Sequence, residues 1–117
     1  MEKIDFNNAL SDKILESFTE SLNDILRGLE QLEKNYHQDE FLDLKARENI
    51  LDAGYALEAA VYRSIVYNTN SKKTMQTKLQ ELNTTVNKLA METDHEFLKC
   101  FNLKVFALIS LFIIYEL

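Results

Sequence analysis

The sequence has no proline, no tryptophan, two glycines and one cysteine among its 117 residues. Because proline and glycine build the tight turns of all-β folds, their scarcity leaves helices as the expected secondary structure. A single cysteine cannot form an intrachain disulfide, which excludes disulfide-stapled secreted scaffolds and indicates a reducing compartment. The N-terminal residues MEKIDFNN also lack the basic and apolar regions of a secretory signal. We therefore expect a cytoplasmic, all-α protein.

The charge of the chain is negative overall and unevenly distributed. The formal net charge is −6, but residues 1–58 hold 14 acids against 6 bases, for −8, whereas residues 59–117 hold 5 acids against 7 bases, for +2. An acidic protein is repelled by nucleic acid and by anionic lipid. We therefore expect no nucleic-acid binding, and we expect a protein partner with a basic surface.

Apolar residues at steps of three and four predict three amphipathic helices before residue 93. The first runs from Phe6 to Lys34, and Asp39 is a suitable N-cap for the second. Tyr67 to Ser71 forms the clearest turn, because Asn and Ser favour turn conformations. The predicted core positions are Phe6, Leu10, Ile14, Phe18, Leu22, Ile25, Leu29 and Leu32; then Leu42, Ala46, Ile50, Ala53, Leu57, Val61 and Ile65; then Met75, Leu79, Leu82, Val86 and Leu89.

The sequence pattern allows two alternatives for the start of the last helix. Thr93 and Glu96 fit a capping box ahead of an apolar run, which favours a new helix there. A continuous helix from Lys73 to Glu116 is the alternative. The expected fold is thus an antiparallel bundle of four helices, or of three long helices if the last two are continuous. It forms a single domain over residues 1–117.

The C-terminal segment is the most apolar part of the chain. Val105 to Tyr115 has only Ser110 as a polar interruption. These eleven residues are short of the roughly 20 that a membrane span needs. We therefore expect a largely buried core helix, covered by its neighbours or by another copy, and hence a homo-oligomer. Membrane anchoring is the less favoured alternative.

Few residues are candidates for chemistry. Cys100 lies among Phe97, Phe101 and Leu103, where a thiol is expected to act as a small hydrophobe rather than as a nucleophile. Glu92 and His95 have the spacing of a di-iron ligand pair, but the second such pair is missing. We therefore expect no enzyme activity, no catalytic residue, no metal and no cofactor.

Four acidic residues on the first helix form the most specific pattern in the sequence, and we call them the acidic ladder: Asp12, Glu16, Glu20 and Asp24. Their spacing of four lines one helix face over roughly 18 Å. Each lies two positions after a predicted core residue, so the ladder should point away from the core. Repulsion between successive members costs about 0.2 to 0.5 kcal/mol per pair. The simpler interpretation is a solvated face, and the functional one is a binding surface for a basic partner.

Three functions therefore remain open from the sequence. The favoured one is a non-enzymatic interaction protein, a small acidic helical inhibitor, immunity or antitoxin-like binder of a partner protein. The alternative is a structural self-assembling or membrane-peripheral protein that uses the apolar C-terminal helix. A small metal-dependent enzyme is the least favoured.

Overall fold

The protein is an all-helical bundle of four helices. The computed structural model describes residues 6–35 and 38–115, with side chains from residue 8 onward. The helices are α1 (Phe6–Asn35), α2 (Glu40–Val66), α3 (Lys72–Thr93) and α4 (Glu96–Tyr115). No strand occurs within these two ranges. The predicted four-helix bundle is confirmed, and the alternative with three helices is wrong.

The bundle consists of two antiparallel hairpins packed side by side. α1 pairs with α2 and α3 pairs with α4, while α3 also lies beside α1 and α4 beside α2. Ser11 of α1 contacts Asn70 at one end of the bundle, and Asp43 of α2 contacts His95 at the other. Within the described ranges no Cα atom of α1 lies within 8 Å of a Cα atom of α4, so these two helices occupy opposite corners of the bundle.

The core contains side chains from all four helices. Every predicted core position of α3 is buried, and so are those of α1 from Ile14 to Leu32. Leu10 and Ile65 are partly buried at the margins, and the side chain of Phe6 lies outside the described part. Leu42 was expected in the core, and this expectation is wrong, because its side chain is 42% exposed. The neighbouring Asp43 is buried there instead, since it faces the start of α4.

Glycines allow two close approaches between helices. A Cβ added at Gly28 would lie 2.5 Å from Cγ1 of Ile50, so glycine at this position lets α2 pack tightly against α1. A Cβ at Gly54 would lie 3.1 Å from Cε1 of Phe101. Gly54 lies in the middle of α2, and α4 is the helix that approaches it there.

Polar side chains mark the ends of α2. The Asp39 carboxylate accepts a hydrogen bond from the Leu42 amide at 3.1 Å, as expected for an N-cap. In the turn that follows α2, Asn68 has a φ of 50°. The Thr69 hydroxyl lies 2.6 Å from that of Ser64 and 3.0 Å from that of Ser71, which links the turn to the end of α2.

A single left-handed residue separates α3 from α4. Asp94 has φ 52° and ψ 38°. Thr93 is the last residue of α3, and its hydroxyl donates to the Leu89 carbonyl at 2.7 Å. The expected break is therefore confirmed, but the expected capping box is wrong. A Thr93 cap would require α4 to begin at Asp94, whose conformation is not that of a right-handed helix.

An exposed ion pair joins this break to α4. The Lys99 ammonium group lies 2.5 Å from the Asp94 carboxylate. Its hydrogen bond and positive charge lower the pKa of Asp94, and the same hydrogen bond raises the pKa of Lys99.

The last helix is partly buried. Its inner side chains, including Phe101, Val105 and Phe112, are in the core, whereas Leu103 is 70% exposed. Cys100 is also exposed, so its expected burial is wrong. By length and composition α4 could cross a membrane: an 18-residue window has a mean hydropathy of 2.0, and a third of that window is buried. Core helices of soluble proteins also meet this criterion.

Candidate functional site

The acidic ladder lies on the outward corner of α1, opposite the corner that α4 occupies. All four carboxylates are exposed. Asp24 pairs with Arg27 one turn later. Among the described residues, no ion pair involves Asp12, Glu16 or Glu20. The structure therefore brings the four predicted residues to one surface, and three of them remain uncompensated.

A groove on one side of α1 carries further acidic residues. It lies between α1 and α3, has a volume of about 850 Å³, and is lined in part by Glu30, Glu33 and Glu92. Arg27 and Lys88 supply the positive charges of its lining, and no residue of the acidic ladder lines it. The sequence does not reveal this groove, because no spacing along the chain shows that α1 and α3 are neighbours.

A buried polar cluster joins α2 to the start of α4. Asp43 is 9% exposed and His95 is 6% exposed. Both Nε and Nη2 of Arg47 contact Oδ2 of Asp43, at 2.9 and 2.7 Å, and Nη2 also lies 3.3 Å from Nε2 of His95. The other carboxylate oxygen, Oδ1, is buried without a hydrogen-bond partner, 3.6 Å from His95 Nε2.

This cluster holds two helices together. The Arg47 guanidinium group lies 5.8 Å from the ring centre of Phe97, and the His95 ring packs edge-on against the same ring. The sequence does not reveal that His95 meets Arg47 and Asp43, because these residues lie 48 and 52 positions earlier in the chain. Within the part of the chain that the structure describes, no three His, Cys, Asp or Glu side chains could together hold a metal ion.

A second apolar stripe runs along the outside of α2. It comprises Leu44, Leu51, Tyr55, Tyr62 and Val66, at steps of seven and four, and each side chain is between 39% and 74% exposed. The first four lie two positions before a buried residue, which turns them about 200° away from the core. Both tyrosines of the stripe are thus exposed.

Exposed apolar side chains of α4 lie beside the stripe on α2. Lys104 joins the two helices, since its ammonium group lies 4.0 Å from the Tyr55 ring centre and 3.4 Å from the Glu58 carboxylate. Leu103 and Ile114 are exposed and lie within about 100° of Lys104 around α4. Phe106 and Ile113 are also exposed, but they lie about 180° from Lys104, on the far side of α4. We call the five residues of the stripe, together with Leu103 and Ile114, the outer apolar face. Of the fifteen large apolar side chains exposed among the described residues, twelve lie on these two helices.

Comparisons with known proteins do not assign the chain to a family. No protein-family model matches it, and neither the curated proteins nor the solved structures contain a match. Its function must therefore be argued from its own surfaces.

Proposed function

We propose that the chain is a non-enzymatic protein-binding protein whose acidic ladder binds a basic surface on a partner protein. The observation that supports this proposal is the set of three exposed carboxylates on α1 without an ion-pair partner, on a corner that no other helix covers. Charges arranged in this way steer a complementary partner and set its orientation. The small helical form suits an inhibitor, immunity or antitoxin-like protein.

The rigidity of α1 favours such a role. The ladder is on a helix of 30 residues whose opposite face is anchored by buried residues such as Phe18 and Ile25. Fixed carboxylates keep their spacing when a partner binds, so less conformational entropy is lost than with a flexible acidic tail. Binding through exposed charges should weaken as salt is added.

The experiment is affinity capture from native lysate at low and high salt, followed by quantitative binding with the identified partner. We expect the Glu16→Lys/Glu20→Lys variant to lose that partner. The matched control is Glu40→Lys/Glu81→Lys, which changes the net charge equally with exposed residues on α2 and α3. Equal binding by both variants, or no salt-sensitive partner of the unmodified protein, would contradict the proposal.

The second candidate function is self-assembly or peripheral membrane attachment through α4. The exposure of large apolar side chains on its outward half favours it, because monomeric proteins rarely leave a contiguous apolar patch of this kind uncovered. Sedimentation with phosphatidylcholine vesicles tests the membrane form, and measurement of the mass in solution tests self-assembly. A monomer that does not bind the vesicles would exclude this candidate.

A further inference from the structure

We infer that the outer apolar face is the contact surface of a two-fold homodimer in which α2 packs antiparallel against α2 of a second copy. The inference rests on the self-assembly form of the second candidate function and specifies its surface and its partner. Three observations carry it: the amount of apolar area, the side chains that α2 places at equal distances from Tyr55, and the charges beside the stripe.

The apolar area is large enough for a stable dimer. Burying one large apolar side chain removes roughly 100 Å² from water. The seven side chains of the outer apolar face therefore offer on the order of 700 Å², close to the roughly 800 Å² that each partner contributes to a stable protein interface. The largest apolar patch on a typical monomer is about 300 to 600 Å².

The outer surface of α2 has compatible side chains at equal distances on either side of Tyr55. Leu44 lies eleven residues before Tyr55, and Val66 lies eleven residues after it. A two-fold axis at Tyr55 would thus place Leu44 against Val66 of the second copy. The same axis pairs Leu51 with Ala59, four residues to either side, and Glu48 with Tyr62, seven residues to either side. Such self-complementarity is what an isologous contact requires, and steps of seven and four are typical of helices that pack along a seam.

The charges beside the stripe also complement each other under this symmetry. Glu48 lies seven residues before Tyr55, and Arg63 lies eight residues after it. Both side chains are exposed, and among the described residues no ion pair involves either of them. The two-fold arrangement brings Glu48 of each copy next to Arg63 of the other. A lipid surface would instead leave the Glu48 carboxylate unpaired among apolar residues.

The remaining charges favour this face over the others for contact between copies. The chain carries a net charge of −6, and its acidic ladder is on α1, at the corner opposite α4. A dimer formed through the outer apolar face keeps the two ladders apart. A contact through α1 would bring like charges together.

The test is the mass of the full chain in solution over a wide range of concentration. We expect a dimer of twice 13.6 kDa. Tyr55→Glu should give a monomer, because it places two carboxylates at the axis, while Lys104 of the same chain can pair with the new group and keep the fold intact. Thr85→Glu, on an exposed position of α3, is the matched control and should remain dimeric.

A charge exchange tests the proposed register. Glu48→Arg and Arg63→Glu should each weaken dimerisation by about tenfold, and the double variant Glu48→Arg/Arg63→Glu should restore it. A dimer that tolerates Tyr55→Glu would overturn this surface while leaving self-assembly intact. A protein that is monomeric at all concentrations would overturn both the surface and self-assembly. This holds equally for a monomer that binds phosphatidylcholine vesicles. Neither result would affect the proposal for the acidic ladder.

Discussion

The Asp43 carboxylate is held in a buried position by one guanidinium group. Arg47 is about one third exposed at its side chain, whereas Asp43 is almost covered. Removing Arg47 leaves a buried carboxylate without its cation, which is more costly than the loss of an exposed ion pair. We therefore expect Arg47→Met to lower the free energy of unfolding by about 2 kcal/mol, as measured by urea denaturation.

The control is Asp43→Asn, which removes the buried negative charge itself. Asp43→Asn should lower the free energy of unfolding clearly less than Arg47→Met does, because a neutral amide needs no counter-charge and the Arg47 side chain can reach water. If the two substitutions lower the free energy of unfolding equally, the burial of the Asp43 carboxylate does not explain the effect of removing Arg47.

Gly28 is required by the packing of α1 against α2. Alanine would gain about 1 kcal/mol in helix propensity, but its Cβ would lie 2.5 Å from Cγ1 of Ile50. Overpacking of this kind costs about 1 to 3 kcal/mol. We expect Gly28→Ala to be destabilising by about 1 kcal/mol in chemical denaturation, as the difference between these two terms.

Gly54→Ala is the matched comparison for Gly28→Ala. Its new Cβ would meet only the ring edge of Phe101, at 3.1 Å, so a small movement of that ring relieves the contact. This variant should be less destabilising than Gly28→Ala. A Gly28→Ala protein more stable than the unmodified one would show that the two helices can separate at little cost.

At the scale of elements, the end of α3 depends on the left-handed conformation of Asp94. Alanine is disfavoured in this conformation, whereas glycine adopts it without strain. We expect Asp94→Ala to lower the free energy of unfolding by about 1 kcal/mol. Asp94→Gly should be clearly more stable than Asp94→Ala, although it also lacks the ion pair with Lys99. Thermal unfolding followed by circular dichroism measures the order, and the reverse order would contradict it.

Helix positions were well predicted because they depend on local periodicity. The apolar steps of three and four gave the core of α1 and α3, and Asp39 marked the start of α2. The exposure of α4 was harder to predict, because composition says how apolar a helix is and not how many neighbours cover it. α2 was also more complex than expected. Its buried stripe was recognised, but the second stripe through Leu51 and Tyr55 was not, although its steps of seven and four are visible in the sequence.

Contacts between elements could not be predicted from the sequence. The proximity of His95 to Asp43 and Arg47 depends on how the two hairpins pack, and so does the groove between α1 and α3. The acidic ladder was located correctly as an exposed row because it depends only on the geometry of one helix. Its role in partner binding stays a prediction.

For the whole molecule, the two proposed surfaces should act independently, because they lie on different helices and each points away from the core. We expect Glu16→Lys/Glu20→Lys to leave the mass in solution unchanged while abolishing partner binding. Tyr55→Glu should change the mass while each chain still binds the partner with its intrinsic affinity. Sedimentation and isothermal titration on the same two variants measure both effects. A variant that loses both properties while still folded would show that the surfaces overlap.

The position of the acidic ladder outside the proposed dimer contact also affects how strongly the protein binds its partner. In the proposed dimer the two acidic ladders face away from the shared contact, so one assembly presents two equivalent binding sites at a fixed distance. A partner that is itself dimeric, or that repeats its basic surface, would then be held at both points. Its second attachment would be intramolecular, and its apparent affinity could exceed that of a single ladder by about 100-fold or more. The same geometry would allow one dimer to link two partner molecules, in addition to covering the basic surface of each.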